Sequence, residues 1–217
     1  MDFKSLKGKI NTKLYSKLEK EIKELRPVQA KALDNGLLSG SNLLVCTPTA
    51  SGKTLVAELA MVNKAYNSRK KAVYVVPLKA LAKEKYKYFK KYADLRTGVA
   101  TGDLDKEERG LGNCDIIITT SEKLDSLMRH HCPWLRQVSI VIIDEIHLLN
   151  DPGRGPTLEI LITLMKSMLN IQIIGLSATI GNARELAEWL DANLIEDFWR
   201  PVELKKGIMF ENNIEFN

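Results

Sequence analysis

Residues 43–59, LLVCTPTASGKTLVAEL, pass from four unbroken apolar residues through a turn into a helical pattern, and the turn closes on Gly52-Lys53-Thr54. Strand, loop and helix in that order are the setting of a phosphate-binding loop, G-x-x-x-x-G-K-[ST]. In such a loop the backbone N–H groups and the helix N-terminus surround the phosphates, the lysine reaches the β- and γ-phosphates, and the hydroxyl binds magnesium. Thr47 stands where the first glycine belongs. Threonine suits that position if its φ is negative, with Pro48 pre-setting the bend that glycine would otherwise allow. Gly52 keeps the position where a Cβ would obstruct the approach of backbone to phosphate. Thr47, Thr49, Ala50, Ser51, Gly52, Lys53 and Thr54 are therefore candidate nucleotide-binding residues. A chance Gly-Lys-Thr in a turn is the alternative until a second motif is found.

Further apolar runs recur at Ala72–Val76, Ile116–Ile118, Ile140–Ile143 and Ile171–Ile174. Unbroken runs are strands covered on both faces, and the helical segments between them supply crossovers, so the pattern predicts a mainly parallel α/β sheet. From Lys79 to Tyr92, Leu81, Ala82, Tyr86, Phe89 and Tyr92 share one helical stripe. Lys83, Lys87, Lys90 and Lys91 read as its solvated face. Leu14, Leu18, Ile22 and Leu25 predict an N-terminal amphipathic helix, and Pro27 opens another.

The second motif follows a strand over Val138–Ile143, which runs into Asp144-Glu145-Ile146-His147. That puts two adjacent acids at a strand's carboxyl end, the edge where open α/β sheets bind ligands. Asp144 can hold magnesium while Glu145 orients and polarises the water attacking a γ-phosphate. Thr54 and Asp144 are the expected metal residues; Lys53, Asp144 and Glu145 are the expected catalytic ones. ATP and Mg²⁺ are the cofactors this pair of motifs implies.

Composition narrows the class. The 217 residues carry a net charge of +5, compatible with a nucleic-acid partner though not sufficient for one. No apolar run reaches the roughly 20 residues of a membrane helix, so no membrane partner and a cytoplasmic location are expected. Cys46, Cys114 and Cys132 are odd in number and widely spaced, which suits a reducing compartment. His130, His131 and Cys132 have no evident fourth metal ligand and read as a helix end, and Cys46 as core.

Together these residues resemble the first motor domain of superfamily-two DExH helicases, in the superkiller-like group that includes the archaeal Hel-type DNA-repair helicases, over nearly the whole chain. The resemblance implies a RecA-like P-loop domain with helices on both faces of the sheet. It makes Gln29 of "LRPVQ" the reader of the adenine edge, with Arg26 in the place of a stacking aromatic. "VVPLKALAKE" from Val75, "TGD" at Thr101–Asp103 and "TTSEKLD" from Thr119 are similar to the segments that touch a sugar-phosphate backbone in that family. Pro77, Lys79, Thr101, Gly102, Thr120 and Ser121 are the implied contacts, and Pro77 and Ser121 each sit just ahead of a helix. Ser177-Ala178-Thr179 is similar to motif III, whose strand lies between those of the loop and the acidic pair. Ser177, Thr179 and His147 are the implied coupling residues. "DPGRGPTLE" from Asp151 and "WRPVELKKG" from Trp199 match the archaeal Hel-type subgroup.

The implied organisation is a helical lead-in over 1–25, the ATP-binding motor domain over 26–198, and over 199–217 the start of a connection to a second motor domain of the same polypeptide. In the family that second lobe supplies arginines to the ATP site, so this chain is expected to bind nucleotide, hydrolyse little and not unwind. Single-stranded or forked DNA is the favoured partner. An RNA helicase lobe, a self-sufficient P-loop ATPase or kinase, and a catalytically silent single-strand binder remain the alternatives.

Overall fold

The computed structural model describes residues 1–102, 110–168, 170–202, 207–210 and 213–216. Strands β1 (Leu43–Cys46), β2 (Lys71–Val76), β3 (Thr97–Ala100), β4 (Ile116–Thr120), β5 (Val138–Ile143), β6 (Gln172–Ser177) and β7 (Asn193–Glu196) form one seven-stranded sheet. Its order is β3-β4-β2-β5-β6-β1-β7, and every pairing is parallel. The five apolar runs fall on β1, β2, β4, β5 and β6, every residue of which is buried, as expected for strands covered on both faces, although half-buried Ile171 lies just ahead of β6. A separate antiparallel hairpin joins β8 (Gly207–Phe210) and β9 (Asn213–Phe216).

Helices α1 (Thr12–Leu18), α2 (Pro27–Asp34), α3 (Lys53–Ser68) and α4 (Lys79–Phe89) lie on one side of the sheet. Helices α5 (Ser121–Arg129), α6 (Gly155–Met168) and α7 (Ala183–Leu190) lie on the other. Alternate strand residues sort into these two layers. Leu43, Val45, Tyr74 and Ile142 join the core beneath α3 and α4; Leu44, Cys46, Val73 and Ile143 join the core beneath α5 and α6.

Three local expectations change. The N-terminal helix ends at Leu18 rather than continuing to Leu25. The first residues of the chain pair with the next turn: Phe3 N donates to Lys23 O at 3.0 Å, Leu25 N donates to Met1 O at 2.8 Å, and Asp2 bridges Glu24. Once residues 23–25 are extended they cannot be helical, although Leu25 stays buried. Phe3, Leu14, Leu18 and Leu25 share a core with α3, so the lead-in packs as part of the same body. The lysine face of α4 is exposed at Lys83, Lys87 and Lys90 but not at Lys91. Lys91 Nζ lies 2.6 Å from Glu58 Oε1, a fully buried carboxylate that also accepts the hydroxyls of Tyr88 and Tyr92. β3, with half-exposed Thr97, Gly98 and Val99, carries no apolar run and was not anticipated.

Candidate nucleotide site and nucleic-acid groove

The topology gathers the predicted motifs. β6 lies between β5 and β1, so the loop after β1, Ser177 and the acids after β5 leave the sheet along one edge. Thr47 N donates to Ser177 O at 3.2 Å, extending the β1–β6 pairing into the loop.

Within the loop Thr47 is buried, and its Oγ1 lies 2.7 Å from Ser51 Oγ, so two hydroxyls close the turn where the glycine is lacking. Ala50 (φ 64°) and Gly52 (φ 105°) take left-handed backbone, whereas Thr47 is not among the positive-φ residues. Gly52 is needed for another reason than phosphate access alone: a Cβ there would stand 2.3 Å from Gln29 Nε2. Gln29, 3% exposed, accepts Arg26 N at 2.8 Å through Oε1 and donates to Gly52 O at 3.2 Å through Nε2. Its amide clasps the phosphate loop to α2, and a base contact through the same atoms would have to replace those bonds. Arg26 Nη1 donates to Ala50 O at 2.5 Å.

Lys53 Nζ is held by the carbonyls of Thr47 at 2.7 Å and Pro48 at 3.2 Å. Burial lowers its pKa, against the opposing pull of Glu145 and Asp144, whose field therefore reaches this ammonium. Asp144 Oδ2 accepts the Tyr74 hydroxyl at 2.9 Å, and Oδ1 accepts Glu145 N at 3.1 Å. Lys85 Nζ stands 3.6 Å from that Oδ2 and 3.3 Å from Thr54 Oγ1. The two expected metal residues thus flank a single cation, and hard oxygens of a hydroxyl and a carboxylate are a donor set that fits Mg²⁺. Thr54 and Asp144 would hold the ion.

Glu145 is left-handed (φ 53°), and the turn is anchored by Ile146, fully buried over Gly175, where a Cβ would be 3.0 Å from Ile146 Cδ1. His147 Nδ1 lies 3.4 Å from Glu145 Oε2. Ser177 Oγ is buried with no hydrogen-bond partner among the described residues, while Thr179 is exposed. Thr49 and Ala50 are exposed at the loop crest. Burial pushes the Cys46 thiol up to about 11, in keeping with a core residue. His130 caps the end of α5.

A second concavity, about 470 Å³, opens between α4 and α5. Pro77, Lys79, Thr101, Gly102 and Thr120 all line it. Asp103 lies outside the described residues, as do Glu203–Lys206 of the "WRPVELKKG" stretch. Ser121 does not face this groove. It is the first residue of α5, capped by Thr120, and is buried in the narrow cleft beside Asp144 and Glu145. Leu78, which precedes α4, has no side-chain cap bond, leaving the helix's first N–H groups open to an anion. Lys123 and Arg154 also line the groove, and Arg154 borders the acidic cleft as well. Lys123 is 7% exposed, and its Nζ has no hydrogen-bond partner among the described residues.

Tyr74, Lys85, Lys123 and Arg154 had no role assigned from sequence. Lys123 and Arg154 stand inside quoted stretches, "TTSEKLD" and "DPGRGPTLE". Tyr74 sits in mid-strand, and Lys85 is one of many lysines on α4. Among the described residues no cluster of three or more His, Cys, Asp or Glu is placed to hold a metal, and no helix is long and apolar enough to cross a membrane.

The DEAD/DEAH box helicase family matches residues 26–186. The ATP-dependent DNA helicase Hel308 of Pyrococcus abyssi is 55% identical over 195 residues, 89% of this chain and 27% of that protein. The Methanocaldococcus jannaschii Hel308 is 56% identical over 204 residues, 90% of this chain and 17% of that protein. The chain thus spans about a quarter or less of these relatives. In structure it resembles the DUF1998 helicase MrfA, in a crystal with DNA and AMPPNP, at a TM-score of 0.77 and 27% identity over 87% of this chain and 29% of that one.

Proposed function

The chain belongs to the DEAD/DEAH box helicase family, and from that premise we propose that it is the first motor lobe of an ATP-dependent DNA helicase of the Hel308 kind. The observation that carries the reading is the approach of one cation, Lys85 Nζ, to both Thr54 Oγ1 and Asp144 Oδ2, because it joins the phosphate loop and the acidic pair in one site.

In this reading the loop amides and Lys53 hold the β- and γ-phosphates, Thr47 and Ser51 keep the loop closed, and Thr49 and Ala50 present its crest. Lys53 exchanges its present carbonyl partners for phosphate oxygens. Magnesium, when bound with the nucleotide, offsets phosphate charge; Thr54 and Asp144 are its proposed ligands. Glu145 orients the attacking water and accepts its proton. His147 and Ser177, with Thr179 beyond it, lie where a change at the γ-phosphate can be felt in the neighbouring strands. The groove lined by Pro77, Lys79, Thr101, Gly102 and Thr120 takes the sugar-phosphate backbone of one strand, aided by the N-terminus of α4.

Residues 26–198 form the motor domain, 1–25 its lead-in and 199–217 the connection towards a second lobe. Arginines of that lobe are proposed to complete the ATP site; without them turnover should be lower by about 10³ to 10⁵. DNA is favoured over RNA because the similar proteins are described as DNA helicases and the structural neighbour was crystallised with DNA. Calorimetry tests the core of the proposal: the wild-type chain should bind ATP in a magnesium-dependent manner and Lys53→Ala should not. Equal binding by the two would sink it.

A further inference from the structure

Arg154 ends the turn that follows the acidic pair and leads straight into α6. The backbone around it is fully engaged. Asp151 Oδ1 accepts Gly153 N and Arg154 N, each at 2.9 Å, Gly155 N donates to Asp151 O at 2.7 Å, and Leu158 N donates to Arg154 O at 3.1 Å. Gly155 permits the turn, because a Cβ there would stand 2.2 Å from Leu149 O. The side chain is not tied in the same way. Arg154 is half-buried, and its guanidinium makes no hydrogen bond or ion pair among the described residues.

Two concavities meet at this residue. On one side is the cleft lined by Asp144 and Glu145, about 10 Å³, which is room for about one water molecule. On the other is the groove of about 470 Å³ proposed for a nucleic-acid strand. Among the described residues only Pro77 and Arg154 line both, and of the two only Arg154 is charged. A guanidinium keeps its charge and presents a planar fork of donors that fits a carboxylate or a phosphate equally well. Asp144 already has Tyr74 and Lys85 beside it, and Glu145 has His147. Carboxylates on one side and a phosphodiester on the other would therefore compete for a single uncommitted cation.

We propose that Arg154 is a positioning residue that couples the two sites. A phosphodiester in the groove draws the guanidinium away from the acidic pair, and the guanidinium is freed for that phosphodiester once magnesium-nucleotide offsets the charge of the acids. Strand and nucleotide then bind with positive cooperativity, and by linkage each strengthens the other by the same factor. The inference rests on the nucleotide and groove readings above and adds to them the side chain that connects them.

The test measures the affinity of the whole chain for a labelled oligothymidylate by fluorescence anisotropy, with and without magnesium-AMPPNP, for wild type, Arg154→Met, Arg154→Gln and Arg154→Lys. Wild type should bind the strand about fivefold or more tightly when magnesium-AMPPNP is present. Arg154→Met and Arg154→Gln, which remove the charge, should bring that ratio close to one, and Arg154→Lys should keep an intermediate ratio. Calorimetry without the strand supplies the second readout. With the competing cation gone, Arg154→Met and Arg154→Gln should bind magnesium-AMPPNP at least as tightly as wild type, whereas a merely structural arginine would weaken that binding on removal. A wild-type ratio of one or below, or a ratio unchanged in the two uncharged variants, would overturn the coupling while leaving both sites intact. A wild-type chain that binds the oligonucleotide but no nucleotide would overturn the nucleotide reading, one that binds nucleotide but no oligonucleotide would overturn the groove, and either result would remove this inference as well.

Discussion

Lys85 Nζ lies 3.6 Å from Asp144 Oδ2, and both side chains are only 12% exposed. With Thr54 Oγ1 at 3.3 Å from the same ammonium, a tethered positive charge sits between the two oxygens proposed to bind magnesium. A divalent ion entering without nucleotide meets that charge. Two unit charges at 4 Å and an effective dielectric of 20 interact by about 4 kcal/mol. Lys85→Met, which keeps the stem and removes the charge, should therefore strengthen binding of free Mn²⁺ by roughly tenfold or more, equivalent to about 1.4 kcal/mol. Electron paramagnetic resonance of Mn²⁺ in the absence of nucleotide measures it, and an unchanged affinity would show that the ammonium does not guard the site.

The stability of the lobe should fall in alkali through tyrosines that donate to carboxylates. Tyr92 and Tyr88 donate to Glu58, and Tyr74 donates to Asp144. Burial first, and the neighbouring carboxylates second, raise all three phenol pKa values above 10. A raised folded pKa means that the contribution is complete below the unfolded value and declines as pH climbs above it. For Tyr92, 2% exposed, the decline is about 1.4 kcal/mol per pH unit above roughly pH 10. Lys53 and Lys71, their pKa values lowered by burial, work in the opposite sense. Denaturant midpoints should be flat from about pH 7 to 9 and drop between about 10 and 11, with a shallower drop in Tyr92→Phe; an unaltered limb in that variant would refute the assignment.

How much of this could be read in advance follows from the range over which each feature is determined. β1, β2, β4, β5 and β6 are unbroken apolar runs because both faces are covered, so their sequences declare them. β3 and β7 lie at the sheet edges, β3 with Gly98 packed against Cys114, and with only Ala100 and Ile195 buried in them they carry no comparable apolar run. The helix through Leu25 failed because Met1 and Phe3 pair with residues 23–25, a contact that no local period encodes. Gly52, Lys53, Thr54, Asp144 and Glu145, the residues proposed for the nucleotide site, could be named from spacing along the chain, and the fold brings the loop and the acidic pair to one edge of the sheet. Lys85 could not, because it matters through Thr54 and Asp144, each dozens of residues away, and Lys123 and Arg154 could not, because only the fold brings them to one groove.

Gly52 couples the phosphate loop to α2. Gly52→Ala places a methyl group 2.3 Å from Gln29 Nε2 and 3.1 Å from Arg26 Cδ, at a φ of 105° that alanine adopts at a penalty of about 1–2 kcal/mol. Thermal stability should fall, and the Gln29 clasp should open. Gln29→Ala removes the clash but not the backbone strain, so the double variant should be less destabilised than the sum of the singles by at least about 0.5 kcal/mol. Strict additivity in a double-mutant cycle would place the glycine requirement in the backbone alone.

Lys123 separates stability from binding. Its ammonium is buried without a hydrogen-bond partner among the described residues, in the wall of the groove proposed for a DNA strand. An unpaired buried charge is unfavourable for the fold, so Lys123→Met should leave the chain equally stable or more stable by about 1 kcal/mol. If a phosphodiester is its partner, the same change should weaken single-stranded DNA binding about equally for every base sequence. The slope of log affinity against log salt should also become shallower by about one unit. A lysine serving only the packing of α5 would behave otherwise, lowering stability on replacement and leaving the slope alone. Fluorescence anisotropy across a salt series, read beside denaturant unfolding of the same two proteins, distinguishes the cases through the opposite signs they require.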